Sequence, residues 1–253
     1  MDAGASVMIP FIHAYPYLML SLTMLLAFFV ALLFCPREFR SLMVLSGTLA
    51  APFALTSVLV VPEYWNPSRL AVLLAGPEDI VFAFASAGLA WLASVWSLRH
   101  RVTFQPRPGR MWWRYVGGAI GGLAVGDLCW QLGGGPIMAT ITAFGALIAV
   151  ILWRRREFWP LVLAGVVGYA LVYVIALKLW YVLVPGFGAQ WNVHALWGPM
   201  VLGVPLDEVV WAAAFGAAWP LFVAYLFDAR LHPVPQSNRG RAEARPRCSE
   251  SVS

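Results

Sequence analysis

The chain reads as a succession of long apolar runs separated by short polar punctuation. Runs of about 20 residues, the length that crosses a hydrocarbon layer as a helix, fall at roughly 15–34, 42–61, 78–98, 113–132, 136–153, 159–183 and 206–227. Seven transmembrane spans are predicted. The fourth and fifth are separated only by Gly133, Gly134, Gly135 and Pro136, a composition that predicts a tight turn between two helices.

Charge gives these runs a direction. Arg37 and Arg40 lie between spans one and two, and Arg99, Arg101, Arg107, Arg110 and Arg114 between three and four. Arg154, Arg155 and Arg156 lie between five and six, and Arg230, Arg239, Arg241, Arg245 and Arg247 follow the seventh. Fifteen of the seventeen basic residues thus share one face, which the retention of Arg and Lys in the cytoplasm makes the inner one. Arg69, in an opposite loop, and Lys178, inside span six, are the exceptions. The expectation is a multi-pass protein of the cell (plasma or inner) membrane, N-terminus outside and C-terminus cytoplasmic. Topology accounts for the basic balance, so no nucleic-acid partner is called for; membrane lipids are the surroundings. The last twenty or so residues, rich in Arg, Pro and Ser, predict a disordered cytoplasmic tail.

Composition agrees with this picture: 61% of the 253 residues are hydrophobic and 11% charged, too few polar groups to coat a soluble domain. Thirteen Trp and eight Tyr, gathered near the ends of the runs, fit interfacial aromatic belts. Cys35, Cys129 and Cys248 follow no disulfide or metal spacing. Asp2 is the only charge before the first run and no small-residue cleavage pattern follows it, which argues against a signal peptide; bulky Phe34 before Cys35 argues against a lipoprotein.

Spans one to three and five to seven look like two copies of one three-helix unit. Arg37-Glu38-Phe39 is matched by Arg156-Glu157-Phe158, and Leu42 to Gly47 by Leu161 to Gly165. Trp65-Asn66 is matched by Trp191-Asn192, and Gly76-Pro77-Glu78-Asp79-Ile80-Val81-Phe82 by Gly203-Val204-Pro205-Leu206-Asp207-Glu208-Val209-Val210-Trp211. Span four between the copies makes them parallel, unlike the inverted repeats of many transporters. The predicted fold is all-α: a polytopic membrane bundle of two parallel three-helix repeats, 1–104 and 135–232, joined by a linker helix in 105–134 and followed by the tail 233–253. A pseudo-twofold axis along the membrane normal would bring the two acidic helix starts together.

Ionisable groups at membrane depth are expensive and usually face a cavity or a partner. Glu78, Asp79, Asp207 and Glu208 open spans three and seven, and Asp127 lies about 7 Å inside the end of span four. These five carboxyls fall in one layer, with Lys178 near enough along span six to neutralise one of them. The plainer reading is that first-turn acids complement a helix dipole, as Pro205 ahead of Asp207 suggests; for Asp127 it is a structural hydrogen bond. Phe82 follows Glu78 by four residues, and Trp211 and Phe215 follow Asp207 by four and eight, so they share a helix face with the acids. There they either pack or face lipid, or present π faces to a cation. Two carboxyls close together in a low-dielectric cavity cannot both ionise easily, so one retains a proton and can act as an acid.

Pro205-Leu206-Asp207-Glu208-Val209-Val210-Trp211 resembles the Pro-x-Glu-(Glu/Asp)-x-x-Phe motif of the small, flavin-independent membrane lycopene cyclases, the lycopene cyclase domain family, and Gly76 to Phe82 is its counterpart in the first unit. Asp207 and Trp211 replace the usual Glu and Phe, and Pro77 directly precedes Glu78. The resemblance implies redox-neutral chemistry without a cofactor. A protonated carboxyl among Glu78, Asp79, Asp207 and Glu208 would protonate the terminal alkene of lycopene, and a carboxylate would remove a ring proton to give a β-ring. Phe82, Trp211, Phe215 and Asp127 would surround the reacting end. A lipid-soluble polyene is the implied substrate, with self-association or contact with other carotenoid-pathway enzymes left open. Gly117 to Gly122 lacks dinucleotide-binding spacing, no aspartate-rich motif for magnesium and diphosphate is present, and span seven lacks a retinal-type lysine. The rival readings are a non-enzymatic transporter or carotenoid-binding partner, or another end-group enzyme such as a hydratase.

Overall fold

A computed structural model of the chain describes residues 12–70, 73 and 75–232. The expected tail 233–253, with Cys248 and the four last arginines, lies outside the described residues. Seven long helices make up the bundle: α1 (Pro16–Phe34), α2 (Arg37–Ala50, continued by a 3-10 segment Ala51–Leu59), α3 (Pro77–Trp96), α4 (Pro108–Gln131), α5 (Pro136–Arg154), α6 (Trp159–Leu183) and α7 (Leu206–Leu226). Six are long and apolar enough to cross a membrane. The exception to the predicted seven is α4, whose 24 residues suffice in length but whose glycines, with Arg110, Arg114 and Asp127, leave it less apolar. The protein is an all-α, multi-pass membrane bundle.

Helix starts follow from local chemistry. Pro16, Pro77, Pro108, Pro136 and Pro160 each sit in a first turn, where the missing N–H costs nothing. Gly133, with φ 88°, makes the turn between α4 and α5 that the sequence predicts.

The core is built by the two most buried helices, α3 and α7. α3 packs against α1 and α2, and α7 against α5 and α6. They also contact each other, and α6 joins them by packing on α3. Matched glycines permit the close approaches. Gly47 on α2 lies against Phe84 of α3, and Gly165 on α6 lies so close to Gly216 of α7 that a side chain at either would strike the other's carbonyl. By contrast α4 buries only Tyr115 and rests mainly on α5.

The two ends of the bundle differ. At the arginine-rich end a short pairing of β1 (Val102–Thr103) with β4 (Arg230–Leu231) ties the α3–α4 loop to the end of α7. Asp228 collects Arg114 at 2.7 Å and Arg110 and Arg155 at 3.8 Å. Partial withdrawal from water pushes the Asp228 carboxyl up, but the Arg114 hydrogen bond and the charges of Arg114, Arg110 and Arg107 outweigh this and hold it below its usual range. At the opposite end the long loops meet. Trp65 and Trp191 form an antiparallel bridge, Asn66 N donates to the Gln190 carbonyl at 2.7 Å, and Asn192 N donates to the Tyr64 carbonyl at 2.9 Å.

Candidate active site

The acids of α7 are delivered by a hairpin. Strands β2 (Met200–Val201) and β3 (Val204–Pro205) pair through a two-residue turn, Leu202 and Gly203, both at positive φ as a tight primed turn requires. Leu206 N then donates to the Pro199 carbonyl at 2.9 Å, and α7 begins with Asp207 and Glu208 pointing into the protein, 0% and 6% exposed. Glu208 is held by three donors: Tyr173 Oη at 2.6 Å, Tyr64 Oη at 2.9 Å and Trp191 Nε1 at 2.9 Å. Asp207 shares Tyr64 Oη at 2.9 Å, while its Oδ1 has no hydrogen-bond partner among the described residues.

Tyr64 therefore lies between two carboxyls with one proton to give. Burial, and then the facing Glu208 and Asp207, push its phenol well above the ordinary value, so it keeps that proton. The proton can satisfy one contact only; the other is a hydrogen bond only when that carboxyl is itself protonated.

The acids of α3 are arranged differently. Asp79 accepts from Gly76 N at 2.7 Å, closing the first turn of its own helix as the plainer reading expects. It also accepts from Tyr17 Oη at 3.0 Å and pairs with Arg69 at 3.1 Å. Arg69, one of the two exceptions to the charge asymmetry, is only 12% exposed in its side chain. Glu78 is fully buried, takes Leu70 N at 3.2 Å on Oε1, and has no partner among the described residues on Oε2.

One acid of each pair, Asp79 and Glu208, lines a cavity of about 600 Å³. Glu78 and Asp207 are not among its lining residues, so the expected four-carboxyl chamber contains two. Two aromatic paths join those two acids. One runs from Tyr17 through Phe82 to Tyr173, with centroids 6.0 and 6.2 Å apart; the other runs from Tyr17 through Trp65 to Trp191, at 4.4 and 5.6 Å. From the acids the cavity descends along a ladder on α7, where Trp211, Phe215 and Trp219 stack at four-residue steps with centroids 5.3 and 6.2 Å apart. The remaining wall is largely aliphatic.

Phe82, Trp211 and Phe215 thus line the cavity together with Asp79 and Glu208. Asp127 lies on its rim, exposed, and accepts a hydrogen bond from Gln131 one turn along α4. Lys178 is exposed and forms no ion pair among the described residues. It does not neutralise an acid as expected; Arg69 does. Sequence reasoning missed Tyr17, Tyr64, Arg69, Tyr173 and Trp191. For Arg69 the available signal was a lone cation among the acidic helix starts, and for Trp191 its match with Trp65 in the two long loops at that end. Among the described residues no group of His, Cys, Asp and Glu is placed to hold a metal ion.

Comparison with curated proteins and with solved structures gave no match. The family model described as lycopene cyclase matches residues 135–226. That segment runs from α5 to the end of α7 and contains Tyr173, Trp191, Asp207, Glu208 and the Trp211–Phe215–Trp219 ladder, while Tyr17, Tyr64, Arg69 and Asp79 lie before it. Through residues 135–226, the chain is similar to the lycopene cyclase family.

Proposed function

We propose that the protein is a carotenoid end-group cyclase that converts lycopene, or a related acyclic carotenoid, to β-ring products by proton addition and removal. The observation that carries the reading is the pairing of Asp79 and Glu208, one from each acidic helix start, on a single aromatic-walled cavity inside an apolar bundle. Cyclisation to an isomer needs one acid and one base and no change in electron count.

Hydrogen-bond counting supports a division of labour. Glu208 has three donors and Asp207 one, so the extra proton demanded by the Tyr64 contacts resides best on Asp207. Passing that proton to Tyr64, as Tyr64 passes its own to Glu208, protonates the carboxyl that faces the cavity and leaves Asp207 ionised. Glu208 then protonates the terminal alkene of the end group, leaving a tertiary carbocation. The neighbouring double bond attacks it, the new C–C bond closes the ring, and the charge moves to the ring. Asp79, ion-paired with Arg69, removes the adjacent proton to restore a double bond. Phe82, Trp211 and Phe215 offer π faces to the travelling positive charge. Asp127, at the rim, borders the path of the substrate and does not react.

The arginine-rich end is the cytoplasmic one in this reading, with the N-terminus outside. Two three-helix units, 1–104 and 135–232, are joined by the helix of 105–134. The parallel packing of α3 and α7 on their neighbours and the reciprocal bonds of the Trp65–Trp191 bridge support that division.

Expression of the full chain in a bacterial host that accumulates lycopene tests the reading by chromatography of extracted carotenoids. Ring-bearing products are expected. Lycopene left unchanged by protein recovered in the membrane fraction would overturn the proposal, and hydroxylated end groups in place of rings would make it a hydratase.

The relay makes a separate prediction. Tyr64→Phe keeps the ring and leaves Tyr173 and Trp191 on Glu208, so the cavity retains its shape. A loss of about tenfold in the rate of ring formation is expected, less than the hundredfold or more of a group that exchanges a proton with the substrate itself, because Tyr64 acts one transfer away, together with a changed pH profile. A wild-type rate with a wild-type pH profile would exclude Tyr64 from proton delivery.

A further inference from the structure

The helix α4 belongs to neither three-helix unit, yet it supplies one wall of the cavity through Gly118, Ala119, Gly122, Leu123, Gly126 and Trp130. The 3-10 segment Ala51–Leu59 supplies another. These two walls are tied together near the middle of the bundle, where Tyr115 Oη donates to the Leu49 carbonyl at 2.7 Å and its ring meets Phe53 at 5.9 Å. Beyond that tie, toward the acidic end, both walls line the cavity. Leu59 on one wall is 40% exposed and Leu123 on the other 48%, although both line the cavity. A side chain that lines a cavity while remaining this exposed marks the place where the cavity reaches the surface. That surface also carries exposed Leu55, Val58 and Ile120, and it belongs to the hydrocarbon-facing belt of the bundle.

Gly122 stands just inside this opening and differs from its neighbours on the same helix face. A side chain at Gly118 would strike Phe222, and a Cβ at Gly126 would lie in van der Waals contact with the Ala139 carbonyl, so protein already occupies the space beside both. At Gly122 a Cβ would meet nothing within 4 Å, and the space it would enter is the cavity itself. Its bareness is therefore not explained by protein packing.

We infer that the cavity opens sideways into the hydrocarbon layer between Leu59 and Leu123, that the end group of a lipid-soluble polyene threads through this opening, and that Gly122 sets the width of the passage. The inference rests on the cyclase reading for the identity of the substrate. Sideways access suits a rod-shaped molecule: only its reacting end reaches Glu208 and Asp79, while the rest of the polyene stays in lipid and is not desolvated from water at all. The helix between the units is thereby part of the substrate site.

At Gly122 a Cβ meets no protein atom within 4 Å and the side chain beyond it enters the cavity, so Gly122→Trp in the full chain fills the passage while the bundle should still assemble. The control is Gly121→Trp: Gly121 is adjacent, exposed, outside the cavity, and equally free of neighbours. In the lycopene-accumulating host, Gly122→Trp is expected to lower ring formation by at least about tenfold per membrane-recovered protein, the scale on which pocket shape discriminates substrates, while Gly121→Trp matches the unmodified chain. A second readout is independent of chemistry: the lycopene that copurifies with the Glu208→Gln protein should fall severalfold when Gly122→Trp is added and stay level with Gly121→Trp. Equal ring formation and equal bound lycopene in the Gly122→Trp and Gly121→Trp proteins would overturn the inference. Failure of the cyclase reading looks different, as lycopene bound by the unmodified chain and never cyclised.

Discussion

Glu208→Gln is expected to reduce ring formation by a hundredfold or more while the protein still accumulates in the membrane. The amide has the volume of the carboxyl and can still accept from Tyr173 on the side where Glu208 accepts at 2.6 Å. On the other side Trp191 Nε1 and Tyr64 Oη both approach Oε1 at 2.9 Å, so an amide nitrogen turned there faces one donor it cannot accept from. The mismatch costs about 1–3 kcal/mol in a buried site, which lowers stability without removing the fold. The chemical loss is larger, because an amide neither delivers nor receives a proton at neutral pH, and positioned acid–base groups contribute about 10²–10⁴ in rate. Asp207→Asn should fall between this and Tyr64→Phe, since it removes the proton reserve and leaves the cavity-facing carboxyl. Membrane-recovered Glu208→Gln protein that forms rings at the unmodified rate would remove Glu208 from the reaction.

The helices were legible because each is an apolar run closed by Pro, Gly or Arg, signals that depend on near neighbours in the chain. Pro136 after three glycines predicts the start of α5 at Pro136. The run beginning at 42 starts late because Arg37, Glu38 and Arg40 are polar, whereas the backbone is already helical at Arg37, where the arginines remain at the bundle end. The acid positions were legible for the same local reason. Which member of each pair faces the cavity was not, since adjacent residues on a helix differ by about 100° in direction and only the packing of α3 and α7 decides between them. Tyr17, Tyr64 and Tyr173 were hidden among aromatics that a bilayer protein places at its interfaces anyway. They become distinct only when three separate segments converge. Lys178 misled for a related reason: its distance along α6 fits the acid layer, but its side chain stays exposed, with Nζ beside Gly203 of the hairpin, and reaches no carboxyl among the described residues.

Asp79 and Arg69 should show the largest stability effect in the protein, and a double substitution separates that effect from chemistry. Asp79 accepts from Gly76 N, from Tyr17 and from Arg69, and the Arg69 side chain is nearly withdrawn from solvent. Removing one partner of a buried pair leaves an uncompensated charge, a loss of about 3–5 kcal/mol in comparable sites. Asp79→Asn is therefore expected to lower the yield of folded protein and its thermal stability in detergent, and so is Arg69→Gln. In the Asp79→Asn, Arg69→Gln chain neither member of the pair carries a charge, so no uncompensated partner is left at this site and stability should recover most of the way. Ring formation should not recover, because the base that takes the last proton is gone. A purely structural pair behaves otherwise: activity returns along with stability. Recovery of both in the double variant would assign Asp79 to helix capping and loop attachment alone, and would move the base to Glu208 or its partners. Recovery of stability alone would leave Asp79 as the group on which ring closure ends.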